Sequence, residues 1–550
     1  MIQNKYKGNL KIYEDDVYRL FEVSNRREKM AEDALNNIIT PFPGFLSTEF
    51  RDDMWLEKKK QKYGNSYSLY LHTLRITVEL MLAYEETNDI KYFDKAEEII
   101  ESWIRQSEPD KEVPMKWYDH TTANRTQALI QYLYLAQQMG RKVNISKYVD
   151  LLRKHVEVMS DDSKYKTNNH GLMMDRSLVV LGYVLEDHQI ISKGKNRAIN
   201  TFWYSFSSQA IHLENSPHYH LMVVRMYNEI EAYLNRKEDS LGPIIVNYLK
   251  LAKEYIPKLS KPNNTLPAIG DSGTSKAAKK KVYKNIYDYE AGIAILQYEQ
   301  PNPMYLSFVA GYSSRVHKHN DDLSITLNYK TKDFLIDPGK YSYTGNKTRS
   351  YITSRRAHSS FYLEGFNYKI KNENRYDRKV RLENYVDNKI YSLVKGVNGD
   401  YEGTNALLER IVIQFKNSPV NIIVDSLITK RKNELKMTQK YNLSSLAKVS
   451  EVENGYKLIS GGEELVIKQF KPFESKEVIN GDLKKPVAVN TSGFAKVRPT
   501  KQLAFRKTSN QKEAFLTAIY DDRIVNDFDL KLYGDRLIVF IEDKTYDIYL

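Results

Sequence analysis

Apolar residues recur every three to four positions through the first half of the chain, between about residues 66 and 256. One stripe contains Leu71, Leu74, Val78 and Leu82, and a second contains Phe93, Ala96, Ile100 and Trp103. This spacing places the apolar side chains on one face of a helix. Further helices are predicted over residues 129–136 with an end at Gly140, and over 148–159, 171–185, 217–234 and 243–256.

The period changes to two in the second half of the chain. Between about residues 258 and 285 the sequence is rich in Pro, Asn, Gly, Ser and Lys, which is typical of a boundary. Beyond it, Leu323, Ile325, Leu327 and Tyr329 alternate with polar residues and predict a strand with one buried face. Further short strands are predicted at 334–336, 360–363, 390–394, 410–415, 420–427, 456–459, 464–470 and 537–541.

The two patterns divide the chain into two predicted domains. Several antiparallel helices with short connections indicate a helical (α/α) toroid or bundle over residues 1–275. Many short strands without intervening helices indicate a large antiparallel β-sandwich over residues 276–550. The predicted fold class is therefore multidomain, with a helical toroid followed by an antiparallel β-sandwich.

Composition restricts the chemistry that such a fold can carry. The 550-residue chain contains no cysteine, so disulfides, thiolate nucleophiles and cysteine-bound metals are excluded. The formal net charge of +13 favours anionic partners, and because the charge is scattered, no nucleic-acid partner is expected. No stretch of the sequence is long and apolar enough to predict a transmembrane segment.

The N-terminal sequence bears on location. The first eight residues, MIQNKYKG, lack the apolar core of a secretory signal. The chain as written is therefore expected to be cytoplasmic. A trimmed N-terminus would instead fit a secreted or periplasmic protein.

Three clusters of polar and titratable residues lie beside Gly or Pro, where loops expose side chains. The first is Asn168-Asn169-His170-Gly171, just before a predicted helix. The positive N-terminal end of a helix attracts anions, so an amide and an imidazole there would hold a carboxylate. The alternative is that Asn168 or Asn169 only caps the helix, and the four residues alone favour this alternative.

The second cluster runs from Glu214 to His220. With Ser216 as the N-cap and Pro217 as the first helical residue, Tyr219 would lie in the first turn of a helix. The positive helix end lowers the pKa of a phenol there, and such a tyrosine can exchange protons with a sugar. An ordinary cap with Tyr219 packed in the core fits the residues equally well.

The third cluster lies in the predicted β-domain, in the segments HKHNDD at 317–322, DPG at 337–339 and RRAH at 355–358. A period of two would place His317 and His319 on one face of a strand. His319, Asp337 and His358 form a candidate metal set, for which zinc is the natural occupant because it accepts imidazole and carboxylate ligands. The alternative is a group of solvent-exposed histidines.

The order and spacing of these clusters resemble those of the heparinase II/III-like polysaccharide lyases. The motifs that carry the resemblance are NNHG and SPHYH in the helical half, and HKHNDD, LIDPGKYSY and RAHSSF in the β half. The resemblance covers most of the chain, and the change from helices to strands falls between the second and third clusters. It implies a helical toroid followed by a β-sandwich, and an anionic polysaccharide that contains uronic acid as the substrate.

The resemblance also implies catalytic roles for individual residues. Asn169 and His170 match the family residues that neutralise the uronate carboxylate. Tyr219 matches the catalytic tyrosine, and His317 matches the catalytic histidine of the β-domain.

Two further sets of residues follow from the same resemblance. The zinc site of some family members, where the metal is structural, matches His319, Asp337 and His358. The candidate substrate-binding residues lie in segments that resemble the family, and they are Arg125, Glu214, Asp271 and Arg356.

The implied reaction is β-elimination across the C4–O4 bond of a uronic acid, which leaves a C4–C5 unsaturated uronate and needs no organic cofactor. One alternative is an (α/α)-toroid glycoside hydrolase, which needs two catalytic carboxylates. The chain offers Asp119, Asp175, Glu214 and Asp271 for that purpose. The other alternative is a non-catalytic polysaccharide-binding or biosynthetic accessory protein, against which the joint presence of the four catalytic candidates argues.

Overall fold

The computed structural model of the protein describes residues 10–20, 27–42, 45–56, 65–107, 113, 115–277, 280–343, 345–431, 433–493 and 495–550. The chain forms two compact units, of which the first comprises Met1–Ser205 and Arg225–Asn247 and the second Phe206–Val224 and Tyr248–Leu550. The expectation about a secretory signal concerns residues 1–8, which lie outside the described residues. Within the described ranges, no helix has the length and apolar character that crossing a membrane requires.

Helices dominate the first half of the chain, as the sequence pattern predicts. They are α1 (Arg27–Leu35), α2 (Asn65–His72), α3 (Arg75–Thr87), α4 (Ile90–Ser107), α5 (Asp119–Gln138), α6 (Ile145–Ser160), α7 (Asn169–Val184), α8 (His188–Ser205), α9 (Pro217–Arg236) and α10 (Pro243–Leu259). A short antiparallel pair, β1 (Ile38–Ile39) and β2 (Thr48–Glu49), lies between α1 and α2 in the sequence.

Burial of the apolar stripes explains where these helices form. In α4, Phe93, Ala96, Ile100 and Trp103 are all fully buried, as expected for one face of an amphipathic helix. The other stripe spans two helices instead of one. Leu74 adopts a left-handed conformation with φ of 56° and separates α2 from α3, because a residue in that conformation cannot continue a right-handed helix.

The helix α8 is not among those that the apolar spacing singles out. Its buried positions include Gly194, Ala198, Thr201 and Ser205, which are small or polar residues. Such residues let α8 approach its neighbour closely but contribute little apolar area. The contrast between its two faces is therefore weak in the sequence, although the helix is well packed in the structure.

The second half of the chain consists mainly of strands. They are β3 (Ile286–Asp288), β4 (Ile293–Tyr298), β5 (Met304–Val309), β6 (Ser324–Tyr329), β7 (Lys332–Leu335), β8 (Phe361–Leu363), β9 (Val380–Asp387), β10 (Tyr391–Asn398), β11 (Leu407–Phe415), β12 (Val420–Ile428), β13 (Leu435–Asn442), β14 (Lys448–Val452), β15 (Gly455–Ser460), β16 (Glu463–Gln469), β17 (Ser475–Asn480), β18 (Val489–Gly493), β19 (Lys496–Pro499), β20 (Lys501–Ser509), β21 (Glu513–Tyr520), β22 (Phe528–Tyr533), β23 (Arg536–Ile541) and β24 (Lys544–Tyr549). Two short helices, α11 (Lys347–Ile352) and α12 (Asn374–Asp377), interrupt them.

Antiparallel pairing organises the described strands into layered sheets. The largest sheet has the order β14-β15-β16-β21-β12-β11-β10-β9, a second has the order β17-β20-β13-β8, and a third has the order β3-β4-β5-β6-β7. Leu306 of the third sheet, Phe505 of the second and Phe515 of the largest belong to one buried apolar cluster. The sheets therefore share a core, which is the arrangement expected of a β-sandwich.

The strand β6 is buried on both faces, so the prediction that one of its faces is exposed is wrong. The polar residues that alternate with its apolar ones form hydrogen bonds with neighbouring side chains. The hydroxyl oxygens of Thr326 and Ser307 are 2.6 Å apart, and Ser324 Oγ donates to Asp337 Oδ1 at 3.0 Å. Internal hydrogen bonds thus replace water on this face.

Candidate active site

The NNHG segment forms the N-terminal end of α7. The Asn168 side chain accepts hydrogen bonds from the backbone N–H groups of His170 at 2.9 Å and Gly171 at 3.4 Å, so Asn168 caps the helix. Asn169 is buried, whereas the His170 side chain is 29% exposed. A Cβ atom on Gly171 would lie only 2.0 Å from the carbonyl oxygen of Lys166, so this position requires glycine.

The carboxylate of Asp119, at the start of α5, holds two imidazoles. Asp119 Oδ1 is 2.7 Å from His120 Nδ1, and Asp119 Oδ2 is 3.2 Å from His170 Nδ1. Burial raises the pKa of Asp119, but hydrogen bonds from His120 and His170 outweigh burial and hold that pKa well below its usual range. An ionised Asp119 therefore orients the His170 ring.

Arg125 lies in the interior of the helical unit. Its Nε donates to His155 Nε2 at 2.9 Å, its Nη1 donates to the carbonyl oxygen of His72 at 2.8 Å, and its guanidinium lies 4.2 Å from the Trp103 ring centroid. The side chain is fully buried, and burial lowers the pKa of Arg125 to about 9. Arg125 is therefore packed between helices in the structure, and its contact with substrate stays a prediction.

Tyr219 occupies the first turn of α9, which begins at Pro217 as the sequence predicts. Ser216 Oγ accepts a hydrogen bond from the Tyr219 backbone N–H at 3.4 Å and lies 2.7 Å from Ser272 Oγ. The Ser-Pro pair therefore starts the helix in the expected way. These residues belong to the second compact unit, together with the β-strands.

The phenol of Tyr219 lies among three polar side chains from the loops of the β half. Its ring stacks on the His317 ring with a centroid distance of 3.5 Å and an interplanar angle of 15°. Its hydroxyl is 2.7 Å from the Tyr343 hydroxyl and accepts a hydrogen bond from Lys340 Nζ at 3.2 Å. The hydroxyl therefore lies beside a donor that carries a positive charge.

His317 is held by a carboxylate at each ring nitrogen. His317 Nε2 lies 3.3 Å from Glu214 Oε2, and His317 Nδ1 lies 3.4 Å from Asp271 Oδ2. Burial lowers the pKa of His317, but Asp271 and Glu214 outweigh burial, so the net shift is upwards. Because a carboxylate accepts but does not donate, this geometry favours hydrogen on both nitrogens, which is the imidazolium form.

Asp271 connects His317 to other side chains of the second unit. Its Oδ1 is 3.0 Å from His319 Nε2, and Arg349 donates to both carboxylate oxygens, at 2.5 and 2.9 Å. Burial raises the pKa of Asp271, but these partners and His317 hold it well below its usual range. Gly270, with φ of 55°, permits this approach, because a Cβ there would lie 2.8 Å from the His317 carbonyl oxygen.

The structure places Asp271 and Glu214, two of the predicted substrate-binding residues, beside His317. Their side chains are 1% and 4% exposed, and both face His317. Both carboxylates orient the imidazole, and their contact with substrate stays a prediction. The fourth predicted substrate-binding residue, Arg356, lies in a short 3-10 helix, Arg355–Ala357, and is exposed. Its contact with substrate therefore stays a prediction.

His317 and His319 do not share a face of a strand, and that expectation is wrong. Both precede β6, and His317 adopts a left-handed conformation with φ of 58°. That conformation interrupts an extended chain, so a period of two does not apply here. The turn instead directs both imidazoles to the same carboxylate, that of Asp271.

A set of buried metal-ligand atoms lies next to this cluster. Donor atoms of Asp321, Asp337 and His358 lie within 4.8 Å of one another. Two of the three predicted ligands are in this set, and Asp321 takes the place of His319, whose Nε2 contacts Asp271. The buried atoms Asp321 Oδ2, Asp337 Oδ2, His358 Nε2 and His319 Nδ1 each lack a hydrogen-bond partner. Two carboxylates and imidazole nitrogen fit a zinc ion.

Sequence reasoning missed several residues around Tyr219 and His170. Lys340 and Tyr343 lie inside the segment LIDPGKYSY, which is one of the motifs that carry the resemblance, so the signal was present without a role attached. Arg349 and His120 had no signal of their own. Arg349 contacts the carboxylate of Asp271, which is distant in the sequence. His120 contacts the carboxylate of its neighbour Asp119, and the fold sets the orientation of both side chains.

Solved structures with the same fold share little sequence with this chain. A heparinase III structure is 15% identical and superposes with a TM-score of 0.80, covering 99% of this chain and 94% of its own. A mutant of the heparan sulfate lyase HepC from Pedobacter heparinus is 16% identical, with a TM-score of 0.71 and coverage of 96% and 89%. These similarities confirm the predicted fold class, a helical toroid followed by an antiparallel β-sandwich. No curated protein matches the chain in sequence.

Family models match nearly the whole sequence. The heparinase II/III N-terminus model matches residues 3–298, and the heparinase II/III-like C-terminal model matches residues 289–517. The motifs that carry the resemblance all lie within these ranges. The chain therefore belongs to the heparinase II/III family of polysaccharide lyases.

Proposed function

We propose that this lyase cleaves an anionic polysaccharide at a uronic acid by β-elimination and leaves a C4–C5 unsaturated uronate at the new end. The observation that carries the proposal is the environment of Tyr219. Its phenol is stacked on an imidazole that two carboxylates hold and is hydrogen-bonded to an ammonium group. Neighbouring cations stabilise the phenolate form of such a tyrosine, so the side chain can act as both base and acid near neutral pH.

The first requirement of the reaction is to neutralise the uronate carboxylate. The C5 proton is weakly acidic because the neighbouring carboxylate is already negative. Asn169 and His170 supply an amide and an imidazole for this purpose, and Asp119 orients the imidazole. Preorganised donors of this kind contribute about 3 kcal/mol each to stabilising developing charge.

Tyr219, with its hydroxyl in this polar group, carries both proton transfers in the proposed mechanism. Its phenolate takes the C5 proton, the electrons of that bond form the C4–C5 double bond as C4–O4 breaks, and the phenol returns the proton to O4. His317 is unsuited to the role of base because both of its nitrogens face carboxylates. A single acid–base group fits a sugar whose C5 hydrogen and O4 lie on the same face.

The environments of the four carboxylates do not favour the hydrolase alternative. A hydrolase needs a protonated general acid that reaches the glycosidic oxygen. Asp119 and Asp271 have lowered pKa values, and Glu214 faces His317. Burial raises the pKa of Asp175 to about 8, but this side chain is fully buried beside Arg197.

The substrate is identified by incubating the chain with a panel of purified uronate polymers, both sulfated and unsulfated. We expect at least one polymer to give products that absorb in the ultraviolet as conjugated unsaturated uronates. Hydrolysis products from every polymer that is cleaved would contradict the proposal. The same panel defines the substrate class.

Replacing Asp119 with Asn is expected to lower kcat by about a hundredfold, because the amide no longer fixes the His170 ring for the developing charge. Steady-state kinetics on the substrate from the panel measure this effect. Asp150→Asn, at an exposed position in α6, is the matched control and should leave kcat unchanged. Equal activity of the two variants would remove Asp119 from the mechanism.

We also propose that Asp321, Asp337 and His358, with His319 adjacent, hold a structural zinc ion. The unpartnered buried donor atoms support this. Metal analysis of the purified chain should find about one zinc per chain, and a chelator should lower the thermal midpoint. Asp337→Asn should lose the metal, whereas Asp119→Asn should keep it. Metal-free protein with an unchanged midpoint would contradict the proposal.

A further inference from the structure

Lys340 contacts the hydroxyl of the catalytic tyrosine directly. Its Nζ donates to Tyr219 Oη at 3.2 Å and lies 5.2 Å from the Tyr219 ring centroid and 5.0 Å from that of Tyr343. The ammonium therefore lies between two phenols. No carboxylate oxygen of a described residue forms an ion pair with it, since Asp271 is engaged by Arg349 and two histidines.

The backbone fixes this contact from both sides through Ser272. The Ser272 carbonyl oxygen accepts a hydrogen bond from the Lys340 backbone N–H at 3.0 Å. The Ser272 hydroxyl contacts Ser216 Oγ at 2.7 Å and accepts from the His218 backbone N–H at 3.2 Å, at the first turn of α9. One serine thus ties the segment that carries Lys340 to the helix turn that carries Tyr219.

Two cationic groups lie against Tyr219, the His317 imidazolium at its ring and the Lys340 ammonium at its hydroxyl. His317 lies against its ring, Lys340 and Tyr343 face its hydroxyl, and His218 lies beside it with ring centroids 5.9 Å apart. Burial lowers the pKa of Lys340, and burial also raises that of Tyr343 well above its usual range. Tyr343 therefore stays a neutral donor, and an anion on Tyr219 would compensate the partly desolvated ammonium.

We propose that Lys340 is a further catalytic residue, whose ammonium holds Tyr219 as the phenolate that takes the C5 proton. This inference rests on the proposed β-elimination. During turnover the ammonium keeps its own proton. It stabilises the phenolate before the C5 proton is taken and again after the phenol proton has passed to O4, so the lysine itself is not consumed or deprotonated.

A kinetic test compares Lys340→Met, which removes the charge, with Lys340→Arg, which keeps it. Lys340→Met should lower kcat at neutral pH by about ten- to a hundredfold and move the rise of kcat to higher pH by about one unit or more, with little change in KM. Lys340→Arg should restore part of kcat and most of the pH profile. A raised KM with an unchanged profile would assign Lys340 to substrate binding and overturn the proposal.

A second measurement does not depend on activity. The ultraviolet difference titration between the wild-type chain and Tyr219→Phe reports the ionisation of Tyr219, and the same difference is recorded in the Lys340→Met background. The midpoint of Tyr219 ionisation should be higher by about one pH unit or more in the Lys340→Met background than in the wild-type background. Equal midpoints would overturn the role of Lys340. If no polymer is cleaved by the wild-type chain, the proposed function fails, while this titration still decides the lysine's effect.

Discussion

Tyr219→Phe is expected to lower kcat by about a thousandfold or more, while the variant still binds the polysaccharide. The substitution removes only the hydroxyl, which in the proposed mechanism takes the C5 proton and returns a proton to O4. The ring that stacks on His317 stays in place, so the local packing is preserved. Turnover is followed by ultraviolet absorbance, and binding by calorimetry with the same polymer.

Tyr376→Phe is the matched control for this experiment. Tyr376 is 81% exposed, so loss of its hydroxyl should leave both activity and stability unchanged. Full activity of Tyr219→Phe would refute the role of Tyr219 as the acid–base group. Loss of binding together with activity would assign the hydroxyl to substrate recognition.

Asp271→Ala is expected to have the largest effect on stability. Asp271 is buried and contacts His317, His319 and Arg349. Removing the shared carboxylate leaves the His317 imidazolium and the Arg349 guanidinium without this partner, and breaking such a pair in the interior costs about 3–5 kcal/mol. For a unit of this size the thermal midpoint should fall by about 5 °C, as measured by calorimetry.

Asp535→Ala serves as the control for that measurement, because its ion pair with Lys512 is exposed and contributes little to stability. Activity should also fall in Asp271→Ala, since His317 loses one of the two carboxylates that orient it. A midpoint equal to that of the control would show that His317, His319 and Arg349 do not depend on Asp271.

The fold was largely predictable because burial leaves a periodic trace in most elements. The stripe in α4 and the Ser-Pro start of α9 predicted those helices within a few residues. The trace fails where the buried face carries small or polar residues, as in α8. The pattern also misleads in β6, where buried polar residues form hydrogen bonds inside the protein. Alternation of polar and apolar residues then predicts an exposed face that the structure does not have.

The candidate site was predictable only in part. Tyr219 and His317 carry motif signals, and the structure places their rings in contact. Lys340 contacts Tyr219 from a loop more than a hundred positions away, and sequence spacing does not encode such a contact. Arg125 shows the opposite case, because a charged residue in a matching segment proved to be fully buried between tryptophans.

In the proposed mechanism this lyase breaks the C4–O4 bond by elimination. Elimination is tested most directly by digesting the substrate polymer and recording ultraviolet absorbance and product masses together. Elimination predicts that absorbance rises with each cleavage and that the masses of the two products add up to that of the substrate. Products that carry the added mass of one water for each cleavage, without a rise in absorbance, would contradict it.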